Sequence, residues 1–248
     1  MRVVAADLHI HSALSPCASD EMTPEAIVYK AITSDLEVIA ICDHNSAANI
    51  QAVQEAAFSI AGDLFLVLAG MEITTSEEVH LVALFPDVEA ALAASDEVGK
   101  TLPCAANNPE QCKEQPILNA AGEVIGHADR FLSFASAFSL DDAALLVRRY
   151  GGLCVAAHVD RPSFSVVSQL GFIPPAPVFD ALEISASGYK QGKALDFSTR
   201  KETLISSSDA HYPDNIGDGR CFLEMKNLSF QEVKLALAGA IGRRCSLA

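Results

Sequence analysis

No apolar run in this 248-residue chain is long enough to span a bilayer. The strongest, Leu64 to Gly70, is strand-sized and meets Met71-Glu72 at once. Nor does Met1-Arg2-Val3-Val4 lead into a secretory signal, because Asp7 and His9 interrupt it early. Together these absences predict no membrane association and a cytoplasmic location. A Cys-x-x-Cys pair is also missing. The seven cysteines (Cys17, Cys42, Cys104, Cys112, Cys154, Cys221, Cys245) are odd in number and scattered, so they read as reduced thiols. Basic residues are scarce. With 17 Lys and Arg against 32 Asp and Glu, the formal net charge is -15, too acidic for a general electrostatic grip on a phosphate backbone. Long nucleic acid is therefore not expected as a partner, whereas a small anion remains compatible, because the field that matters for it lies within its pocket.

Half of the residues are hydrophobic and a fifth are charged, enough apolar surface for a sizeable core and too much for a disordered chain. There is no internal repeat and no low-complexity tract. Apolar runs rich in Val, Ile and Leu alternate with amphipathic segments, and one domain over residues 1–248 is the default. Val3 to Leu8 precedes a helix from Pro24 to about Thr33, with Thr23 and Pro24 as its N-cap and first residue. Val38 to Cys42 precedes a helix from Ser46 to about Ala61, in which Ile50, Val53, Ala57 and Ile60 recur at helical spacing. Leu64 to Ala69, Val79 to Phe85, Leu153 to Ala157, Ala181 to Ser185, Thr203 to Ser206 and Cys221 to Met225 continue the strands, and Phe230 to Ala240 reads as a terminal helix. Near-continuous apolar strands separated by helices predict a parallel sheet covered on its faces, closed into a (β/α) barrel of about seven strands.

Residues 86–150 are long for one connection. This stretch holds an Ala-rich helix from about Val88, turn signals at Leu102-Pro103-Cys104 and Asn107-Asn108-Pro109, and a hairpin from Gln115 to Gly126. An amphipathic helix begins near Leu140. It reads as an insertion, either capping the site or embellishing the fold.

Six of the seven histidines fall in short clusters beside apolar runs: His9 and His11, His44 after Asp43, His80 downstream of Glu72, His158, and His211 after Asp209. In a strand, side chains two residues apart share a face about 7 Å apart, so His9 and His11 can lean onto one metal, and Asp209 and His211 share that spacing. A carboxylate such as Glu72 can bridge two metals while offsetting their charge. Polar residues at strand ends (Asp43, His44, Glu72, His158, Glu183, Asp209) locate the site, since the carboxyl ends of barrel strands form the active face.

In order and spacing, Asp7-Leu8-His9-Ile10-His11, Cys42-Asp43-His44, Glu72 with His80, His158, and Asp209-Ala210-His211 resemble the polymerase and histidinol phosphatase (PHP) family of metal-dependent phosphoesterases. The resemblance runs from residue 7 to residue 211. It implies a distorted seven-stranded TIM-like barrel holding two or three divalent ions (Zn, Mn or Fe). It implies His9, His11, Glu72 and Asp209 around one metal, Glu72, His80 and His158 around a second, and Asp20, His44 and His211 around a third. Asp7 and Asp43 are then expected to orient ligand imidazoles by accepting their other N–H. The family's Ser-Asp-Gly after the first motif is absent: Ser12 to Ser19 is longer, and Asp20 is followed by Glu21, so either carboxylate can be the ligand.

Such metals would acidify bound water and leave a net positive mouth that draws phosphate despite the acidic surface. The expected reaction is hydrolysis of a phosphoester in a small phosphorylated metabolite or nucleotide. His80 or His211 would assist the leaving group if not occupied as ligands, and Arg161 would hold phosphate. Lys190 and Lys193 are further candidates for substrate binding, and His127 reads as an ordinary exposed residue. Two other classes remain open. An amidohydrolase also uses His-x-His at a strand end, but generally bridges its metals with a carboxylated lysine, and no lysine ends a central strand here. A barrel that binds a metal or metabolite and regulates a partner would be expected to lack ligands, which this set does not.

Overall fold

The computed structural model describes residues 1–105 and 114–247; the Asn107-Asn108-Pro109 signal and Cys112 fall outside them. In chain order the elements are β1 (Arg2–Ile10), α1 (Pro24–Thr33), β2 (Val38–Ile41), α2 (Ile50–Ala61), β3 (Leu66–Thr74), β4 (His80–Phe85) and α3 (Val88–Gly99). There follow β5 (Pro116–Leu118), β6 (Val124–His127), α4 (Leu140–Arg149), β7 (Leu153–Ala156), α5 (Val166–Leu170), β8 (Ala181–Ser185) and α6 (Ala186–Lys190). The chain continues through β9 (Thr203–Ser207), β10 (Cys221–Met225), α7 (Phe230–Leu237) and β11 (Arg244–Leu247). Among the described residues no helix is long and apolar enough to cross a membrane.

The main sheet has nine strands rather than seven, in the order β11-β10-β1-β2-β3-β4-β7-β8-β9. It is nearly closed. β9 returns beside β1 and β11, Ile10 bridges Ala210, and the His11 N–H donates to the Ala210 carbonyl at 3.0 Å. The expectation of a parallel sheet also needs correction. Between β3 and β4 there are only the residues Thr75 to Val79, too few for a crossover, so the two strands pair antiparallel, as do β4 with β7 and β1 with β10. β11 adds a strand that the short polar run Arg244-Cys245-Ser246 does not announce.

The two faces of the sheet carry different cores. Ile39, Ile41, Val67, Met71, Leu81 and Phe85 pack outward against the helices, while Val4, Ala6, Leu8, Val38, Ala40 and Leu68 fill the interior with help from Val233 and Leu237 of α7. In β1 the alternation breaks. Leu8 belongs to the interior set and Ile10 to the outer one, where regular pleating would keep both on one side. The pairing of β1 with β2 shifts register between Asp7 and Ile10, and this irregularity delivers His9 and His11 to the interior above Leu8.

The start of α2 at Ile50 rather than Ser46 has a local cause. Asn45 and Asn49 use their side chains on distant backbone: Asn45 Nδ2 donates to the Leu132 and Phe134 carbonyls, Asn49 Nδ2 to the Pro116 carbonyl, and Asn49 Oδ1 accepts from the Leu118 N–H. Segment 114–134 thus braces the loop that carries His44. α1 begins as expected, with Thr23 Oγ1 accepting from the Ala26 N–H.

At the opposite end, Glu232 of α7 accepts from the Lys226 N–H and from Arg243 Nε and Nη2 at 2.6 to 3.0 Å. The Arg243 guanidinium holds the Glu232 carboxyl down at about 2. A depressed folded value means that this contribution to stability is present above the ordinary carboxylate range and is lost as pH falls through about 2. Urea midpoints of Glu232→Gln should lie below wild type at pH 7, and the gap should close toward pH 2. A gap independent of pH would rule out the ion pair as its source.

Candidate metal centre

Glu72, in the last turn of pleat of β3, is the hub of the polar interior. Its Oε1 lies 2.8 Å from His80 Nδ1, 3.3 Å from His158 Nε2 and 3.4 Å from His9 Nε2, and its Oε2 lies 3.0 Å from His44 Nδ1 and 3.5 Å from His11 Nε2. Burial alone would raise this carboxyl, but the imidazoles of His80 and His9 outweigh it and hold Glu72 well below the usual carboxylate range. Asp209 faces it. Its Oδ1 is 3.0 Å from His11 Nε2 and 3.4 Å from His9 Nε2, while Oδ2 accepts from Arg161. Both Asp209 (φ 51°) and His158 (φ 28°) adopt left-handed backbone, an arrangement that costs energy and that the surrounding network must hold in place.

The imidazoles are oriented from behind. His9 Nδ1 lies 3.1 Å from both oxygens of Glu183, so an Nδ1–H donated there leaves Nε2 facing Glu72 and Asp209. Glu183 also accepts from the His158 N–H at 3.1 Å. Burial disfavours charge on His9, yet Glu183, Asp209 and Glu72 raise its affinity for a proton well above the ordinary value. For His11 the relay is longer: Nδ1 is 2.9 Å from Ser15 Oγ, and Ser15 donates in turn to Asp43 at 2.6 Å. Asp43 therefore acts through Ser15 rather than by touching the ring. Asp7 does not orient an imidazole. Its carboxylate accepts from the Ser208 and Gly217 N–H groups at 3.0 and 2.9 Å, tying the loops after β9 to β1. Burial pushes its carboxyl up to about 6.

Three sets of donor atoms lie within 4.8 Å of one another among the described residues. His9, His11, Glu72 and Asp209 form the first, the same four that the motif resemblance implies. The second joins Glu72 and His80 with His44 rather than with the expected His158, which enters none of the three sets although its Nε2 lies 3.3 Å from Glu72 Oε1. The third comprises His11, His44 and His211. Asp20 is exposed and enters none of these sets. The atom between His44 and His211 is instead Cys17 Sγ, 3.2 Å from His44 Nε2 and 3.0 Å from His211 Nε2. Burial opposes ionisation of this thiol, but hydrogen bonds with His211 and His44 outweigh it and bring Cys17 down to about 6.

This donor set fits divalent cations. Two buried carboxylates and six imidazoles converge with Arg161 as their one side-chain cation partner among the described residues, and His158 Nδ1 is buried without a hydrogen-bond partner. No lysine lines the inner cavity, a space of about 120 Å³ bounded by His44, Glu72, His80, His158, Arg161, Phe164 and His211. His80 stacks on Phe164 with ring centroids 4.7 Å apart. Through Arg161, Asp209 and His211 the cavity adjoins a groove of about 380 Å³ that Lys190, Tyr212 and Asn215 also line. Lys193 is turned away, its Nζ 3.3 Å from the Asp160 carbonyl. In the sequence Glu183 serves only as one of the strand-end residues that locate the site, and Cys17 reads only as a reduced thiol. The first shared the strand-end position of the ligands, and the second sits in a loop with no spacing signal.

No protein-family model matches the chain. Among curated proteins, it is 36% identical over 86 residues to the 5'-3' exoribonuclease Rnm of Salmonella typhimurium, a match covering 33% of this chain and 28% of that protein. The match thus spans under a third of the relative's length. Among solved structures, the lesion-specific endonuclease Q of Pyrococcus furiosus superposes with a TM-score of 0.73 at 19% identity, over 98% of this chain and 58% of that one. A metal-dependent phosphoesterase of Bifidobacterium adolescentis gives 0.59 at 19% identity, over 95% and 96%. Endonuclease Q has also been solved with a 27-mer duplex whose abasic lesion lies at its active site, and that complex superposes at 0.70. These likenesses correct the expectation of a small substrate with long nucleic acid disfavoured. A net charge of -15 describes the whole surface, whereas contact with a polynucleotide needs only a locally positive mouth, so the acidic composition is no bar to such a substrate.

Proposed function

We propose that this chain is a PHP-type metal-dependent phosphoesterase that hydrolyses phosphodiesters of nucleic acid. The observation that carries the reading is the set His9, His11, Glu72 and Asp209, with donor atoms within 4.8 Å of one another, opening onto a groove lined by Arg161 and Lys190. The partial match to an exoribonuclease supports the choice of substrate class.

Bound divalent ions would supply an acidified water and neutralise charge on the phosphoryl oxygens. The chain's own groups do the rest. Glu183 and Ser15 hold the His9 and His11 rings so that each Nε2 faces inward. Arg161, paired with Asp209 on one side and open to the groove on the other, would donate to a non-bridging phosphate oxygen. Lys190 would meet a neighbouring phosphate along the strand. His80, at the cavity wall, and His211, where cavity and groove meet, would carry the leaving-group proton only where they are not occupied as ligands.

The direct test is reconstitution with Mn or Zn followed by incubation with end-labelled single-stranded RNA, single-stranded DNA and duplex DNA. Release of mononucleotides or short fragments is expected. Fully metallated protein that cleaves none of them sinks the proposal. Arg161→Ala should keep its metal and lose about tenfold to a hundredfold in kcat/KM, the range for one charged hydrogen bond. An unchanged kcat/KM would remove Arg161 from the substrate's path.

A further inference from the structure

We infer that Cys17, His44 and His211 form a thiolate-containing metal site at the rim of the histidine cluster, with Cys17 in the place that motif resemblance gives to Asp20. The inference rests on the proposed function only in expecting metal at all.

Proton accounting at Cys17 is the first support. The His211 Nδ1–H is committed to the Asp209 carbonyl at 2.9 Å, so its neutral form turns a bare Nε2 toward the sulfur. His44 Nδ1 lies 3.0 Å from Glu72 Oε2, a carboxylate that favours the proton on that nitrogen, so a second bare Nε2 points at the same sulfur. A thiol has one hydrogen and can satisfy only one of two such nitrogens. A cation shared by the sulfur and both nitrogens satisfies all three at once.

Placement is the second support. The loop carrying Cys17 is fastened on both flanks: the Ala18 N–H donates to the Ser15 carbonyl, and the Ser19 N–H to the His211 carbonyl at 2.8 Å. Ser15 Oγ also accepts from the His44 N–H at 3.2 Å. Ser15 thus positions both loops, the Cys17 loop through its carbonyl and the His44 loop through its hydroxyl, while Ser19 ties the first of these to His211. The three ligand-bearing segments are held relative to one another before any ion arrives.

Donor chemistry then separates this site from the buried one. Imidazole and carboxylate accept Mn, Fe or Zn alike, whereas a thiolate with two imidazoles selects Zn or Fe(II) over Mg and Mn. On binding, the Cys17 S–H bond breaks, its proton goes to solvent and the sulfur lone pair goes to the metal. With three protein ligands, a four-coordinate ion held here would still accept one oxygen donor such as water or a substrate phosphate.

The test needs no turnover. Full-length chain loaded with zinc should give a Zn–S distance of about 2.3 Å by X-ray absorption, and cobalt-loaded chain a near-ultraviolet sulfur-to-metal charge-transfer band. Cys17→Ser should lose both signals and about one metal equivalent per chain, with the far-ultraviolet circular dichroism of wild type. Cys17→Asp should regain the metal without the band, separating ligation from folding. Absence of a sulfur signal in wild type, or its survival in Cys17→Ser, overturns the inference. A protein that shows the signal and cleaves no nucleic acid would overturn the proposed function while leaving this site standing.

Discussion

Glu72→Gln should lose bound metal and phosphodiesterase activity together, by about two to three orders of magnitude in metal affinity. Five imidazoles stand within 3.5 Å of this one carboxylate, and two of the three donor sets pass through it. Glutamine keeps the shape and one acceptor oxygen but removes the negative charge that brings cations and imidazoles together in a buried space. Breaking a buried charged pair by neutralising one partner costs about 3–5 kcal/mol, and at 1.4 kcal/mol per decade that corresponds to roughly a hundredfold to a few thousandfold. Metal titration with competing chelator, run beside the oligonucleotide assay, reads both quantities. Activity within tenfold of wild type at full metal occupancy would show that Glu72 is a structural acid and not a bridge.

Glu72 was legible in the sequence because the apolar run before it fixes the strand and a lone carboxylate interrupts that run, although β3 continues two residues further, to Thr74. The same logic exposes His158 after β7 and Asp209 after β9, since a charged or imidazole group ending a buried strand has few structural uses. The paths that join these strands were less legible. Sequence treats Leu8 and His9 as opposite faces of one strand, and only the register shift against β2 turns His9 and His11 into the interior. β11 adds a ninth strand to the apolar runs that the sequence shows, and the antiparallel pairs arise because pairing direction is set by connection length, which periodicity does not encode. Cys17 escaped for a different reason. A side chain on an irregular loop is placed by the bonds its neighbours make with distant segments, here Ser15 accepting from the His44 N–H and Ser19 donating to the His211 carbonyl, so distance along the chain from His11 says nothing about its neighbours.

Composition misled in one place. An overall charge of -15 argues against a polynucleotide only if it surrounds the mouth, yet Glu55, Asp63 and Glu89 belong to the outer helices and their ends. Those at the centre, Glu72, Glu183 and Asp209, have buried side chains: Glu72 and Asp209 belong to the donor sets, and Glu183 lies behind the His9 ring. The quantity relevant to a phosphate chain is the local charge of the groove, where Arg161 and Lys190 face Asp209 and Asp218 and bound cations would supply the positive excess.

The second large effect is expected at Glu183, a residue that need not touch metal or substrate. It receives the His9 ring at 3.1 Å and the His158 backbone N–H at 3.1 Å, so one side chain sets both a ligand's orientation and the strained turn that carries another ligand. Partners behind ligand imidazoles are typically worth 10–100-fold in metal affinity or activity. Glu183→Gln retains an acceptor for both N–H groups and should sit near the lower end, about tenfold. Glu183→Ala leaves both unsatisfied and should approach a hundredfold, with a lower unfolding midpoint as well, since an orphaned buried donor costs about 1–3 kcal/mol. The graded pair is the informative result: metal affinity should fall in the order wild type, Gln, Ala, while stability falls appreciably only in Ala. If Gln weakens metal binding as much as Ala does at undiminished stability, the charge of Glu183 matters and its hydrogen bonds do not, and the orienting role assigned to it is wrong.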